Sequence, residues 1–163
     1  MGKTISATSV LVIWHSRTGA SEAMARAAAE AEGAVLIAAA EVTAGAILAA
    51  GGYLFVCPEN LASMSGLMKE MFDRTYYDVF GRIEGRPYAT IIAAGSDGEG
   101  AQRQIDRIAT GWRLKRIANP MIVNFDAQTP DEIQASKIVP NNILKECREL
   151  GQGFTNGLAM GVF

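Results

Sequence analysis

The 163-residue sequence has few histidines and cysteines and a low aromatic content of 7%. With a single histidine, His15, there is little from which to build a zinc site or a histidine-based catalytic triad, so we expect no metal. The two cysteines, Cys57 and Cys147, lack a metal-binding spacing. A disulfide scaffold is therefore not expected, and the simpler interpretation is a protein of a reducing, cytoplasmic compartment.

Charge and long apolar runs are also scarce. The formal net charge is −2 with 15 Lys and Arg residues, which gives no reason to expect a nucleic-acid partner. The first nine residues lack a basic region followed by an apolar stretch, so no secretion signal is predicted. Residues 34–57 are apolar, but Glu41, Thr43 and glycines interrupt them, so no membrane span is expected either.

What the sequence does contain is a regular alternation of short apolar runs and helical periodicity, in a chain that is 49% hydrophobic. The length fits one domain covering residues 1–163. Continuous apolar runs favour parallel strands that helices cover on both faces, so we predict an α/β fold with a doubly wound, five-stranded parallel sheet. The predicted strands are 9–14, 34–38, 53–57, 89–94 and 120–125. Two long connections, 75–87 and 126–140, are predicted to be loops that line a site or contact another subunit.

In such a sheet the ligand lies beyond the carboxyl ends of the strands, so the segments after the strands matter most. After the first strand the chain reads Ser16-Arg17-Thr18-Gly19-Ala20-Ser21 and leads directly into a helix. Hydroxyl groups beside the unpaired N–H groups of a helix N-terminus suit a phosphate. An ordinary helix cap is the plain alternative. The segment contains no lysine and no G-x-G-x-x-G pattern, which excludes a P-loop and a dinucleotide fingerprint.

Three segments resemble those of a known family. Ser16-x-Thr18-Gly19-x-Ser21 resembles the phosphate-binding loop of the flavodoxin-like superfamily. The stretch 58–74, with Lys69 and Asp73 at a Lys-x-x-x-Asp spacing, resembles the NAD(P)H-dependent FMN reductase and quinone reductase branch of that superfamily. The segment 94–100 is similar to the glycine-rich loop that flanks the flavin there.

The resemblance implies a flavodoxin-like sheet of strand order 2-1-3-4-5 and an FMN cofactor. The loop after the first strand would hold the phosphate, and the other two loops would flank the two edges of the isoalloxazine ring, with glycines allowing close backbone approach. The residues predicted to bind FMN are Ser16, Arg17, Thr18, Gly19, Ala20, Ser21, Pro58, Glu59, Asn60, Leu61, Ala62, Gly95, Ser96, Asp97 and Gly98.

The predicted function is an FMN-binding oxidoreductase that takes electrons from NAD(P)H and passes them through flavin N5 to a small acceptor such as a quinone or a free flavin. No protein group is expected to be catalytic, because the cofactor carries the chemistry. Neither flavin-flanking loop contains an aromatic residue, and an open ring face favours a reductase over an electron carrier. Members of this branch often form dimers or tetramers with loops that cross onto a neighbour's flavin, and 126–140 would be such a loop.

Three alternatives remain open at the level of sequence. The first is a non-enzymatic FMN electron carrier. The second is a family member that has lost its affinity for the cofactor, since the missing aromatic stack would normally contribute to it. The third is a receiver-type regulatory module, which is disfavoured because Cys57-Pro58 stands where a receiver needs its phosphoacceptor aspartate.

Overall fold

The fold is described from a computed structural model covering residues 2–163. All its strands join one sheet, which is parallel except for one short hairpin. The strands are β1 (Val10–Trp14), β2 (Ala34–Ala38), β3 (Gly52–Asn60), β4 (Ser63–Met64), β5 (Pro87–Ala94), β6 (Lys115–Arg116) and β7 (Met121–Asn124). The helices are α1 (Ala20–Ala28), α2 (Ala44–Ala49), α3 (Gly66–Val79), α4 (Glu99–Gly111), α5 (Pro130–Gln134) and α6 (Asn141–Met160), with a 3₁₀ turn at Ala39–Glu41.

The five main strands lie in the order β2-β1-β3-β5-β7. This confirms the predicted flavodoxin-like order, since β5 and β7 are the predicted fourth and fifth strands. β3 is the central strand. Its residue Phe55 pairs with Ile13 of β1 on one side and with Thr90 of β5 on the other. Parallel pairing brings the carboxyl ends of β1, β3 and β5 to one edge of the sheet, where the site is expected.

The alternation of side chains along the strands produces a core on each face of the sheet. On one face, Phe55 packs against Phe72 of α3, and Phe72 against Trp112, with ring centroids 5.1 and 5.4 Å apart. On the other face, Val10 and Val56 pack beneath α1 and α6. Helix α6 comes so close to α1 that a Cβ on Gly151 would lie 2.0 Å from the carbonyl oxygen of Ala28.

Four parts of the chain differ from the prediction. The predicted loop 75–87 begins inside α3, which continues to Val79. The predicted fifth strand, 120–125, is shortened to β7, and Pro120, which lacks an N–H for the ladder, immediately precedes it. The third strand does not end at Pro58 but continues to Asn60, because residues 59 and 60 pair with β4 in an antiparallel hairpin. The predicted loop 126–140 contains α5, which Thr129 caps.

Among residues 2–163, no helix combines the length and the apolar character that crossing a membrane requires.

Candidate functional site

A cavity of about 240 Å³ lies at the carboxyl edge of the sheet. Four parts of the chain form its walls: the turn from β1 to α1, the end of β3, the end of β5, and the segment after β7. The residues that line it are Arg17, Thr18, Ala20, Pro58, Glu59, Asn60, Ala93, Ala94, Gly95, Phe125, Ile133, Gln134 and Lys137. The three predicted loops therefore converge on one space, although they are far apart in sequence.

The first wall is the turn 16–21. Gly19 adopts φ 97°, a left-handed conformation that a residue without Cβ accepts readily, and its N–H donates to Ser16 Oγ at 3.0 Å. Among residues 2–163, no protein atom accepts from the N–H groups of Ala20, Ser21 or Glu22 in the first turn of α1. These donors are available to an anion at the positive end of the helix dipole.

The second wall is the β3–β4 hairpin. Its two turn residues, Leu61 and Ala62, have φ values of 53° and 62°, and Leu61 is fully exposed. Two consecutive left-handed residues form the turn that suits the twist of a hairpin, but glycine or asparagine normally occupies these positions. Gln104 of α4 fixes the hairpin from behind, because its Oε1 accepts from Ser63 Oγ at 2.9 Å and from the N–H of Met64 at 2.8 Å.

Glu59 joins this hairpin to the N-terminus of α4. Its Oε1 accepts from the N–H of Gly98 at 2.9 Å and its Oε2 from the N–H of Ala101 at 3.0 Å. A carboxylate is well placed at this end of a helix because the dipole there is positive. Glu59 lines the cavity, but both its oxygens already have partners at the N-terminus of α4, so its first role is to hold the second and third loops together.

The third loop follows β5. Gly95 lines the cavity, and its carbonyl accepts from the N–H of Ala127 at 2.9 Å. Asp97 is exposed and accepts from the N–H of Glu99 at 3.3 Å, as a turn residue does. Gly98 precedes α4 with φ 94°, and a Cβ there would lie 2.5 Å from Ile122 Cγ2. The glycine at 98 is thus required by its backbone conformation and by contact with β7.

A polar contact connects the end of β1, next to the first wall, with the start of α3, next to the second. His15 Nδ1 lies 2.8 Å from the Oγ of Ser65, a buried residue at the start of α3. The same serine interacts with the buried thiol of Cys57. Burial and the nearby charge of Arg17 lower the pKa of His15, so the imidazole is neutral at pH 7. Burial raises the pKa of the Cys57 thiol to about 12, so this cysteine is a core residue and not a nucleophile.

The structure separates the predicted site residues into two groups. Seven of them line the cavity: Arg17, Thr18, Ala20, Pro58, Glu59, Asn60 and Gly95. The others do not line it: Ser16, Gly19, Ser21, Leu61, Ala62, Ser96, Asp97 and Gly98. Ser16 and Gly19 shape the first turn, and the carbonyl of Ser96 accepts from Asn124 Nδ2 at 2.8 Å. Their contacts with a cofactor stay predictions.

Sequence reasoning expected the connection 126–140 to line a site or contact another subunit, but it named no residue of this fourth wall. Phe125 follows β7 and brings an aromatic ring to the cavity, which the two predicted flavin-flanking loops lack. Lys137 brings a cation to the cavity, near a predicted phosphate loop that has no lysine of its own. The N–H of Lys137 donates to the carbonyl of Thr18 at 2.8 Å. One signal was present: Thr129-Pro130-Asp131-Glu132 is a capping box with proline at the first helical position, which predicts a helix within the supposed loop.

The donors at this edge of the sheet fit a flavin mononucleotide. A phosphate group would meet free N–H groups, the Thr18 hydroxyl and the charges of Arg17 and Lys137. The hydroxyl of Ser21 is buried in the same turn without a hydrogen-bond partner, which is uncommon for a polar group and marks the turn as one whose donors are incompletely used.

Comparisons of the whole chain with solved structures confirm the fold. The chain is 16% identical to a flavodoxin from the domain Archaea, with a TM-score of 0.74. The match covers 93% of this chain and 99% of that one. A flavodoxin WrbA-like protein from Agrobacterium tumefaciens gives 15% identity, a TM-score of 0.72 and coverages of 93% and 98%. An NADPH-quinone reductase from P. pentosaceus gives 16% identity and a TM-score of 0.65, and the match covers 88% of this chain and 97% of that one.

At the level of sequence, no curated protein matches the chain. The family model of the NADPH-dependent FMN reductases matches residues 38–128, more than half of the chain. That range includes the β3–β4 hairpin and the loop after β5, and it excludes the turn 16–21 and Lys137. The chain therefore belongs to the NADPH-dependent FMN reductase family, and FMN is the cofactor that this membership indicates.

Proposed function

We propose that this FMN-binding oxidoreductase takes electrons from NADPH or NADH and delivers them to a small, flat acceptor such as a quinone or a free flavin. The observation that carries the proposal is the convergence of three predicted loops on one cavity at the carboxyl ends of β1, β3 and β5. The family description supports the nicotinamide donor. The bound flavin supplies the hydride-accepting chemistry at N5.

The chain's own residues bind and orient the cofactor. We place the phosphate at the turn 16–21, where Thr18 and the free N–H groups of α1 donate to it. Asn60 offers both a donor and an acceptor to the polar rim of the ring. The ring itself would lie between the hairpin and the loop after β5. Glu59 keeps these two elements at a fixed separation through its bonds to Gly98 and Ala101.

Cofactor binding is the first test. Titration of the protein with FMN should change the visible spectrum of the flavin, with a Kd in about the micromolar range or tighter. Anaerobic addition of NADPH and of NADH should then bleach the flavin absorbance. Absence of FMN binding would end the proposal. Slow bleaching by both nucleotides, with fast reduction by a separate reductase, would instead indicate an electron carrier.

The position of the phosphate is tested by the double variant Ser16→Ala, Thr18→Val. Hydrogen bonds to a charged group contribute about 1.5–3 kcal/mol each, so FMN should bind at least about 10-fold more weakly while riboflavin changes little. The matched control is Ser6→Ala, Thr8→Val, a hydroxyl pair that lies before β1 and outside the cavity. Equal weakening of FMN and riboflavin would show that the turn does not hold the phosphate.

A further inference from the structure

The segment after β7 crosses the phosphate loop and is held there at three points. We define residues 127–139 as the crossing segment. At its beginning, the N–H of Ala127 donates to Gly95, and near its end the main chain of Lys137 bonds to Thr18 at 2.8 Å. Val139 is then buried in the core beneath α1 and α6. The position of the segment over the loop is therefore fixed by the fold.

Lys137 brings to this position a positive charge with no opposite charge beside it. Its ammonium group donates to the carbonyl oxygens of Glu132, Ile133 and Ala135 at 2.6, 3.1 and 2.6 Å. All three acceptors are neutral. Within residues 2–163, no carboxylate lies within 4.0 Å of this ammonium group, and both cavity-lining cations, Arg17 and Lys137, are outside the ion pairs of the protein.

The neighbouring carboxylates accept hydrogen bonds from other groups and do not pair with Lys137. Glu132 Oε2 accepts from the N–H groups of Gln128 and Thr129 at 2.8 and 3.1 Å, at the N-terminus of α5. Glu59, the acidic residue that lines the cavity, faces α4. Lys137 is half-buried, so water screens its charge less than that of an exposed lysine.

We propose that the positive charge of Lys137 attracts the flavin phosphate and thereby makes the site select phosphorylated flavin over riboflavin. This inference rests on the proposed function, which places the phosphate at the turn 16–21. The neutral donors of that turn bind the anion, and Lys137, whose three N–H groups are already bonded to carbonyl oxygens, contributes through its uncompensated charge. Lys137 lies outside the range that the family model matches, residues 38–128.

The test compares the dissociation constants of FMN and riboflavin in the wild type and in Lys137→Met, which keeps most of the apolar stem. We expect FMN to bind about 10-fold more weakly to Lys137→Met and riboflavin to change less than about 2-fold. The salt dependence of FMN binding should also decrease, because one cation has been removed. Lys137→Arg should retain most of the preference for FMN.

A purely structural role of Lys137 in holding α5 is tested by Thr129→Ala. This variant removes the hydroxyl that caps α5, which accepts from the N–H of Glu132 at 3.2 Å, and leaves the charge in place. We expect its ratio of FMN to riboflavin affinity to equal that of the wild type. A ratio as low as that of Lys137→Met would overturn the inference.

Failure of the proposed function and failure of the inference about Lys137 give different results. If the wild type binds no FMN, the proposed function itself fails. If the wild type prefers FMN over riboflavin and Lys137→Met keeps that preference, the proposed function stands and only the role of Lys137 is wrong.

Discussion

His15 is the residue through which pH acts on the first two walls of the cavity. Its imidazole connects the end of β1 to Ser65 at the start of α3, and burial, with a contribution from Arg17, lowers its pKa below 6.5. The unfolded chain therefore binds more protons than the folded protein between the folded-state pKa and 6.5. In this window stability rises with pH, and it is lost as the pH falls below 6.5.

Replacement of His15 by asparagine should remove this pH dependence, because the amide can still bond to Ser65 but does not titrate. The free energy of unfolding in urea, measured at about pH 7.5, 6 and 5, should fall less steeply with acidification in His15→Asn than in the wild type. Parallel pH profiles for the two proteins would contradict this assignment.

Two helical glycines give opposite predictions at the residue scale. A Cβ at Gly100 in α4 would lie 2.1 Å from the carbonyl oxygen of Ala62, whereas a Cβ at Gly153 in α6 meets nothing within 4 Å. Gly100→Ala should therefore destabilise the protein by roughly 1–3 kcal/mol and displace the hairpin. Gly153→Ala should stabilise it by about 0.5–1 kcal/mol. Urea unfolding of both variants measures the difference, and equal effects would contradict the close approach of α4 to the hairpin.

At the scale of elements, the β3–β4 hairpin stores backbone strain at the site. Leu61 and Ala62 both occupy the left-handed region, which costs a residue with Cβ about 1–2 kcal/mol. The strain persists because Glu59, Gln104 and the close approach of Gly100 hold the hairpin against α4. Strained turns of this kind are concentrated at functional sites.

Replacing the turn by asparagine and glycine should relieve the strain. Leu61→Asn, Ala62→Gly is expected to raise the free energy of unfolding by about 1–2 kcal/mol, since Leu61 is exposed and loses no packing. The control is Leu67→Asn, a replacement of another exposed leucine whose backbone is helical, which should not stabilise. Equal effects of the two replacements in urea unfolding would show that the turn is not strained.

The elements that sequence predicted are those with a local signal. Five strands were recognised from apolar runs. The hairpin was missed because Leu-Ala is not a turn dipeptide, and only the tertiary contacts with α4 impose it. Phe125 and Lys137 were missed for a different reason: they reach the cavity through a segment whose path depends on bonds to Gly95 and Thr18, which no local pattern encodes.

At the scale of the whole molecule, the two cores place one cysteine on each side of the sheet. Burial raises the pKa of both Cys57 and Cys147 to about 12. Both thiols are consequently protonated and shielded at neutral pH. The stability that this protonation contributes is complete below the ordinary thiol pKa of 9.0 and is lost as the pH rises from there toward 12.

Labelling of the thiols should therefore report global unfolding. A disulfide reagent added to the native protein at neutral pH should react with neither cysteine, and the rate should increase with urea in parallel with the loss of fold. Bound FMN should slow the reaction further by stabilising the native state. Rapid labelling of one cysteine in the absence of urea would indicate local opening of that core.

The bond between Lys137 and Thr18 has a consequence for the adaptability of the pocket. An amide N–H is common to every amino acid except proline, so the route of the backbone over Thr18 does not depend on which side chain stands at position 137. The main-chain bond to Thr18 and the side-chain bonds to the α5 carbonyls thus come from different atoms of one residue. Replacing this side chain would accordingly change the charge beside the cavity while the main-chain anchor to Thr18 stays in place.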